Sequence, residues 1–150
     1  MNRPTGIIRA FHIAIERAKQ RGWDKIYVFV DIHETMIKPN YDADHIPTEF
    51  YDHVKEVMKY LSDKYFFTLI LYTCSWPKEN EEYLKIFEKN GIHFSYINKN
   101  PEVTSKGYGC YDDKPYINIL IDDKAGFDPE EDWAKLLAYF SSPEFLSLGV

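Results

Sequence analysis

Apolar residues along the chain switch repeatedly between helical spacing and continuous runs. Segment 5–21 repeats an apolar residue every three or four positions, which predicts an amphipathic helix that ends at Gly22. Segment 25–30 is β-branched and aromatic with apolar residues on both faces, as expected of a buried parallel strand. The same two patterns recur and predict helices over 47–64, over 77–90 and from Asp128, and strands over 65–72, 92–97 and 116–121.

The order of these elements determines the predicted architecture. Strands that alternate with helices favour an α/β fold, with a doubly wound parallel sheet and helices on both of its faces. The chain has 150 residues, which is an ordinary length for one domain, so we expect a single domain over 1–150. Segment 98–113 contains a proline and two glycines and is expected to be a loop.

Composition narrows the kinds of partner that the protein can have. Lys and Arg total 18 against 24 Asp and Glu, and the resulting charge of −6 argues against binding to a nucleic-acid backbone. Two cysteines cannot form a disulfide framework, which favours a reducing compartment. No apolar run approaches the roughly 20 residues of a membrane helix, and the N-terminus lacks the pattern of a signal peptide. We therefore expect a cytoplasmic protein that does not enter a membrane.

Acidic side chains follow the first and the last of the predicted strands. Asp31 comes directly after 25–30, and Asp122 and Asp123 come directly after 116–121. Because ligands bind at the carboxyl ends of the strands in such sheets, we expect these carboxylates to lie close together. Crowded carboxylates repel one another unless a cation balances them, and carboxylate, carbonyl and water are ligands that suit Mg²⁺. The sequence therefore predicts a Mg²⁺ site that a substrate phosphate can complete.

Groups able to bind that phosphate follow the second predicted strand. Thr73, Cys74 and Ser75 stand between this strand and the next helix. The two hydroxyl groups, and the backbone amides where the helix begins, can donate hydrogen bonds to phosphate oxygens. This segment is therefore the predicted phosphate-binding site.

A lysine is expected to balance part of the negative charge. Lys114 stands eight positions before Asp122, so its side chain can reach back over the strand ends. Lys114 is the preferred candidate, and Lys106 or Lys124 could take the same role.

These residues resemble the motifs of the haloacid dehalogenase (HAD) superfamily. Residues 28–35 resemble the first motif, a hydrophobic strand followed by Asp-x-Asp-x-Thr, and 69–73 resemble the second, a strand that ends in Thr or Ser. Lys114 matches the lysine of the third motif, and 119–123 resemble the double-Asp form of the fourth. All four motifs occur in the family's order over roughly residues 25–140.

The resemblance implies a Rossmann-like, HAD-like fold and a Mg²⁺-dependent phosphohydrolase that works through an aspartyl-phosphate. Asp31 would be the nucleophile, as carboxylates are in other covalent mechanisms, and Thr73 would bind the transferring phosphoryl group. Lys114 would balance the charge, and Asp122 and Asp123 would complete the metal site. The implied substrate is a phosphorylated compound, small or large.

One position departs from the family's pattern. His33 stands where the family has its second Asp, the residue that protonates the leaving group and later activates water. The family's metal site uses this residue through its backbone carbonyl, so His33 stays a candidate metal ligand. Imidazole can also act as acid and base. Two hypotheses follow: a working phosphatase, or a HAD-fold module that binds a phosphate ligand or a protein with little turnover.

The two intervals in which HAD enzymes commonly carry a cap domain are short here. Asp31 and Thr73 are 42 positions apart, and Thr73 and Lys114 are 41 positions apart. The predicted helices, strands and loops fill both intervals, so we expect no cap and an open site. An open site suits a large substrate, or a homo-oligomer in which one subunit covers the site of its neighbour.

Overall fold

A computed structural model describes residues 3–150 and arranges them around one parallel sheet. The sheet order is β3-β2-β1-β4, with β1 at Ile26–Val30, β2 at Phe67–Leu71, β3 at Tyr96–Ile97 and β4 at Ile119–Ile121. The helices are α1 (Gly6–Arg21), α2 (Val54–Ser62), α3 (Pro77–Lys89), α4 (Asp132–Phe140) and α5 (Pro143–Leu146). The predicted α/β fold with a parallel, Rossmann-like sheet is confirmed. No helix within residues 3–150 is both long enough and apolar enough to span a membrane.

The main core lies on the face of the sheet that the helices cover. All five residues of β1 and of β2 are buried, because both strands have neighbours on each side and are covered on both faces. Alternate strand residues such as Val28 and Leu69 point into this core. Each helix contributes apolar side chains to it, among them Phe11, Val57, Phe87, Leu136 and Phe145.

The opposite face of the sheet is covered without a helix. Tyr27, Phe29 and Ile70 form a second cluster there, against Val103 and Tyr116 of the connection between β3 and β4. Within residues 3–150, no helix contributes to this cluster, so helices cover one face of the sheet and not both faces as predicted. The connection, 98–118, has prolines and glycines and no helical repeat, so it crosses the sheet as an irregular layer where doubly wound folds usually have a helix. We call it the irregular crossover.

Helix α2 begins seven residues later than the apolar spacing over 47–64 predicts. Residues 49–51 instead pair with the segment that follows β1. The amide of Lys38 donates to the carbonyl of Glu49 at 2.8 Å. The amide of Tyr51 donates to the carbonyl of Met36 at 3.0 Å. This short antiparallel ribbon uses backbone groups that a helix would need, and it anchors the segment carrying the candidate site.

Candidate active site

The chain turns back on itself immediately after β1. The amide of Asp31 donates to the carbonyl of Ile121 at 2.9 Å, which fixes the end of β1 beside the end of β4. The carbonyl of Ile32 then accepts from the amides of Met36 and Ile37, at 2.9 and 3.0 Å. This tight turn brings the residues that follow Asp31 back over the strand ends.

This turn places Thr35 next to the carboxylates. It is fully buried, and its hydroxyl donates to Asp31 Oδ2 at 2.9 Å. The same hydroxyl oxygen accepts from the amide of Asp123 at 3.0 Å. Helix α4 holds the turn from behind, because Trp133 Nε1 donates to the carbonyl of Thr35 at 2.8 Å. One threonine therefore fixes both sides of the acidic cluster.

Three carboxylates converge at this edge of the sheet. Asp31, Asp122 and Asp123 each offer one oxygen, and these oxygens lie within 4.8 Å of one another. The pKa of Asp31 is raised to about 7. Burial is the main cause and the charge of Asp122 adds to it, whereas the hydrogen bond from Thr35 acts in the opposite direction. Burial also raises the pKa of Asp122, although the amide of Lys124 donates to it.

The donor set fits a hard divalent cation. All three residues are partly buried and offer carboxylate oxygens, which suit Mg²⁺ and Ca²⁺ better than metals that prefer sulfur or imidazole. Burial is the main cause of the raised pKa of Asp31, and repulsion from the charges of Asp122 and Asp123 adds to it. Bound metal would relieve this repulsion, so Asp31, Asp122 and Asp123 are the residues that would hold it.

An open cavity of about 520 Å³ lies over the carboxylates. Thr73 and Cys74 line it from the end of β2, as the phosphate-binding prediction requires. The Thr73 and Ser75 hydroxyls share a hydrogen bond of 2.9 Å, although Ser75 does not line the cavity. Asn98 fixes this segment: its Oδ1 accepts from the amide of Thr73 at 2.8 Å, and its Nδ2 donates to the Thr73 carbonyl at 2.7 Å.

The lysine at this cavity is Lys124 and not Lys114. Lys114 is exposed on the irregular crossover and is absent from the cavity lining. Lys124 lines the cavity from the 3₁₀ helix at Asp123–Ala125, and its amide donates to Asp122 Oδ1 at 2.9 Å. Lys124 directly follows Asp122 and Asp123 in sequence, so its position at the cavity does not depend on the path of the crossover.

His33 lines the same cavity but is hydrogen-bonded to a neighbouring helix. Its Nε2 shares a hydrogen bond of 2.7 Å with the hydroxyl of Tyr83 on α3. The two rings meet edge to face, with centroids 5.5 Å apart. Burial raises the pKa of Tyr83 to about 12, so its hydroxyl keeps its proton across the physiological range. The imidazole is therefore held on the α3 side of the cavity.

Comparison with known proteins adds evidence on the fold. No protein-family model matches the chain, and no curated protein matches it either. A solved structure of a conserved protein coded by a locus of Bacteroides thetaiotaomicron is similar, with a TM-score of 0.57 and 21% identity over 77% of this chain and 88% of that chain. The two chains share a fold. At this identity the likeness supports the architecture alone, and the HAD resemblance stays a prediction.

Four residues have contacts in the site that were not predicted from the sequence. Asn98 directly follows the predicted strand over 92–97, so the strand-end rule applied to Asp31 could have found it. Thr35 lies within the first motif, but its two hydrogen bonds depend on the turn. Tyr83 and Trp133 have the helical spacing of core aromatic residues. No local sequence pattern indicates that Tyr83 bonds to His33 or that Trp133 bonds to the carbonyl of Thr35.

The raised pKa of Asp31 predicts how stability changes with pH. Because its pKa is about 7 in the folded protein and 3.8 ordinarily, its stabilising contribution is complete below about pH 4 and is lost as the pH rises through 7. Asp31→Asn should therefore raise the free energy of unfolding at pH 8 by about 1–2 kcal/mol, after allowance for solvent screening of a half-buried group. Urea unfolding in EDTA at pH 4.5 and pH 8 measures this, and a variant that is no more stable than wild type at pH 8 would contradict it.

Proposed function

We propose that this site binds a divalent cation, Mg²⁺ by preference, and hydrolyses a phosphate ester with Asp31 as the nucleophile. The observation that carries the proposal is the convergence of three carboxylates at the strand ends, beside an open cavity that Thr73 and Lys124 line. The HAD-like order of the motifs supports the same assignment. The cavity is open, so it admits large and small phosphorylated substrates alike.

Asp31, Thr73 and Lys124 of the cavity have direct chemical roles in this proposal. Thr35 holds Oδ2 of Asp31, so Oδ1 is the oxygen that attacks phosphorus while the bond to the ester oxygen breaks. The Thr73 hydroxyl and the Lys124 ammonium group stabilise charge on the phosphoryl oxygens. Water then attacks the aspartyl-phosphate and releases phosphate from Asp31. Mg²⁺ held by the carboxylates would supply the balancing positive charge.

A specific contact favours a second candidate function. The hydrogen bond between His33 and Tyr83 directs Nε2 of the imidazole to α3. If this ring does not protonate the leaving group, the site binds its phosphate ligand and turns it over slowly. The alternative is therefore a module on the same fold that binds a phosphate ligand or a protein.

Metal binding to the acidic cluster is the first test. We expect Mg²⁺ to bind wild type in calorimetry at pH 7.5, and Asp31→Asn and Asp122→Asn to weaken it at least about tenfold, because each removes a charged ligand. Asp52→Asn changes an exposed aspartate outside the cluster and is the matched control. Equal Mg²⁺ affinity in wild type and Asp31→Asn would contradict the site.

Turnover separates the two candidate functions. A phosphohydrolase releases phosphate from an activated aryl phosphate in the presence of Mg²⁺, and Asp31→Asn reduces this to background. If wild type binds Mg²⁺ and inorganic phosphate but releases no phosphate from the ester, the binding-module hypothesis is correct.

The two cysteines are exposed and unpaired, which supports the further proposal that the protein works in a reducing compartment such as the cytoplasm.

A further inference from the structure

A second cavity lies at the other end of the sheet, away from the carboxylates. It has a volume of about 690 Å³, within the range of small-molecule sites, and Tyr27 at the start of β1 forms part of its floor. Tyr27 and Asp31 are four positions apart along the extended chain, a distance of about 13 Å. Its walls are rich in aromatic side chains: Trp23, Tyr108, Tyr111 and Tyr116. We call it the aromatic cavity.

The irregular crossover forms one wall of the aromatic cavity and is held in place there. Lys106 and Gly109 exchange two backbone hydrogen bonds, of 2.9 and 3.0 Å. The amide of Tyr111 donates to the hydroxyl oxygen of Ser105 at 2.8 Å. A Cβ at Gly109 would lie 2.6 Å from the Tyr111 hydroxyl oxygen, so a larger residue there would displace the end of the Tyr111 side chain. The aromatic wall is therefore built by specific contacts.

A groove along α1 continues from this cavity and has three arginines in its lining. It contains Arg9, Arg17 and Arg21, and it shares Arg21, Trp23 and Tyr116 with the aromatic cavity. We call it the arginine groove. All four arginines of this acidic chain lie within its first 21 residues. Within residues 3–150, none of the three forms an ion pair. Their charge is therefore available to an anion.

The charges indicate which ligand the two sites fit together. The Arg21 guanidinium lies over Trp23, 5.1 Å from the ring centroid, so a cationic ligand would be repelled from this face. Lys25 is paired with Glu102, and Asp24 is the one acidic residue in the lining, so the arginines make the region positive. Arginine binds phosphate through two parallel hydrogen bonds, and aromatic faces stack on bases.

We propose that the aromatic cavity and the arginine groove bind a nucleoside phosphate, with the base among the aromatic rings and the phosphate on the arginines. The volume fits one nucleotide, and Arg17 and Arg21, which are about one helical turn apart on α1, match one or two phosphate groups. A free nucleotide is favoured over a nucleic-acid strand because the chain has a net charge of −6. A strand would need an extended basic surface to bind its phosphates, whereas a single nucleotide does not. The proposal is independent of the function of the acidic cluster.

Binding is measured with uridine and adenosine 5′-diphosphates in EDTA, so that the acidic cluster cannot hold a metal. We expect calorimetry to show binding, and amide chemical shifts to change in 21–27 and 103–118. Trp23→Ala should weaken binding roughly 5- to 150-fold, the effect of losing one stacking ring. Arg21→Gln should weaken nucleotide binding about tenfold and leave the weak binding of the nucleoside unchanged.

Matched variants control for exposed aromatic and arginine residues elsewhere. Tyr41→Ala removes an aromatic residue that is 90% exposed, and Arg3→Gln changes the arginine outside the groove. Neither should alter nucleotide affinity. No binding at 5 mM nucleotide, unchanged affinity in Arg21→Gln, or shift changes confined to the acidic cluster would overturn the proposal. Tighter binding of a ten-nucleotide strand than of any mononucleotide would overturn the assignment to a free nucleotide. If Trp23→Ala fails to fold, Arg21→Gln and the shift map still decide.

Discussion

Replacing His33 with aspartate should accelerate hydrolysis of an alkyl phosphate by about 10²–10⁴-fold, the range for general acid–base catalysis. An alkyl leaving group needs a proton, and the imidazole Nε2 is occupied by the hydroxyl of Tyr83 at 2.7 Å. The Tyr83 hydroxyl keeps its proton because burial raises its pKa to about 12. An aspartate side chain at position 33 would be shorter than the imidazole and would not form this hydrogen bond with Tyr83. It would lie in the lining of the cavity that contains Asp31.

Single-turnover rates with Mg²⁺ on an alkyl and an activated aryl phosphate measure this effect. An activated aryl group leaves without much protonation, so His33→Asp should change its rate far less. His33→Ala is the control that removes the imidazole without adding a carboxyl group, and we expect it to match wild type on both substrates. If His33→Ala slows the alkyl ester by 10²-fold or more, the histidine is already the working acid and base. Tyr83→Phe then tests whether the tyrosine positions it, through a shift in the pH profile.

Replacing Trp133 with alanine should lower the free energy of unfolding by about 3–5 kcal/mol and also weaken Mg²⁺ binding. The side chain is fully buried, so its loss leaves a large cavity where α4 meets the turn that carries Thr35. Its Nε1 also donates to the carbonyl of Thr35, whose hydroxyl holds Asp31. Loss of this donor leaves the carbonyl unpaired and loosens the turn that orders the carboxylates.

A second aromatic residue of α4 separates these two effects. Phe140 is 5% exposed and packs against Phe11 and Phe67, away from the turn. Phe140→Ala should lose a similar free energy of unfolding while Mg²⁺ affinity is retained. Trp133→Phe fills most of the volume and should cost about 1–3 kcal/mol, mainly through the unpaired carbonyl. Urea unfolding and calorimetry at 15 °C measure both quantities. If Trp133→Ala and Phe140→Ala bind Mg²⁺ equally well, the hydrogen bond to Thr35 does not order the site.

The order of the strands and the acidic cluster could be predicted because their determinants are local, although β3 and β4 are shorter than the predicted 92–97 and 116–121. A short apolar run that ends in aspartate predicts a buried strand, and parallel pairing then brings Asp31 beside Asp122 and Asp123. The start of α2 could not be predicted this way. Residues 47–53 have the apolar spacing of a helix, but pairing of 49–51 with 36–38 uses their backbone groups.

The lysine and the histidine show a second limit. Lys114 and Lys124 are both near the acidic pair in sequence, and only the path of the crossover decides which one reaches the cavity. The contact of His33 with Tyr83 joins residues 50 positions apart, on a strand end and a helix. Such contacts arise from tertiary packing, so residue type and spacing within one segment do not reveal them.

Because the irregular crossover covers one face of the sheet and helices cover the other, the two faces should differ in how much their sequences can vary between homologues. Changes within the helices must preserve a shared core in which side chains from α1 to α5 meet. Changes in the crossover touch a small cluster and a loop, which tolerates insertion and replacement more readily. We therefore expect homologues to vary most in the length and aromatic content of this segment, while the acidic strand ends stay the same. Ligand preference at the far end of the sheet could then evolve without altering the chemistry at Asp31.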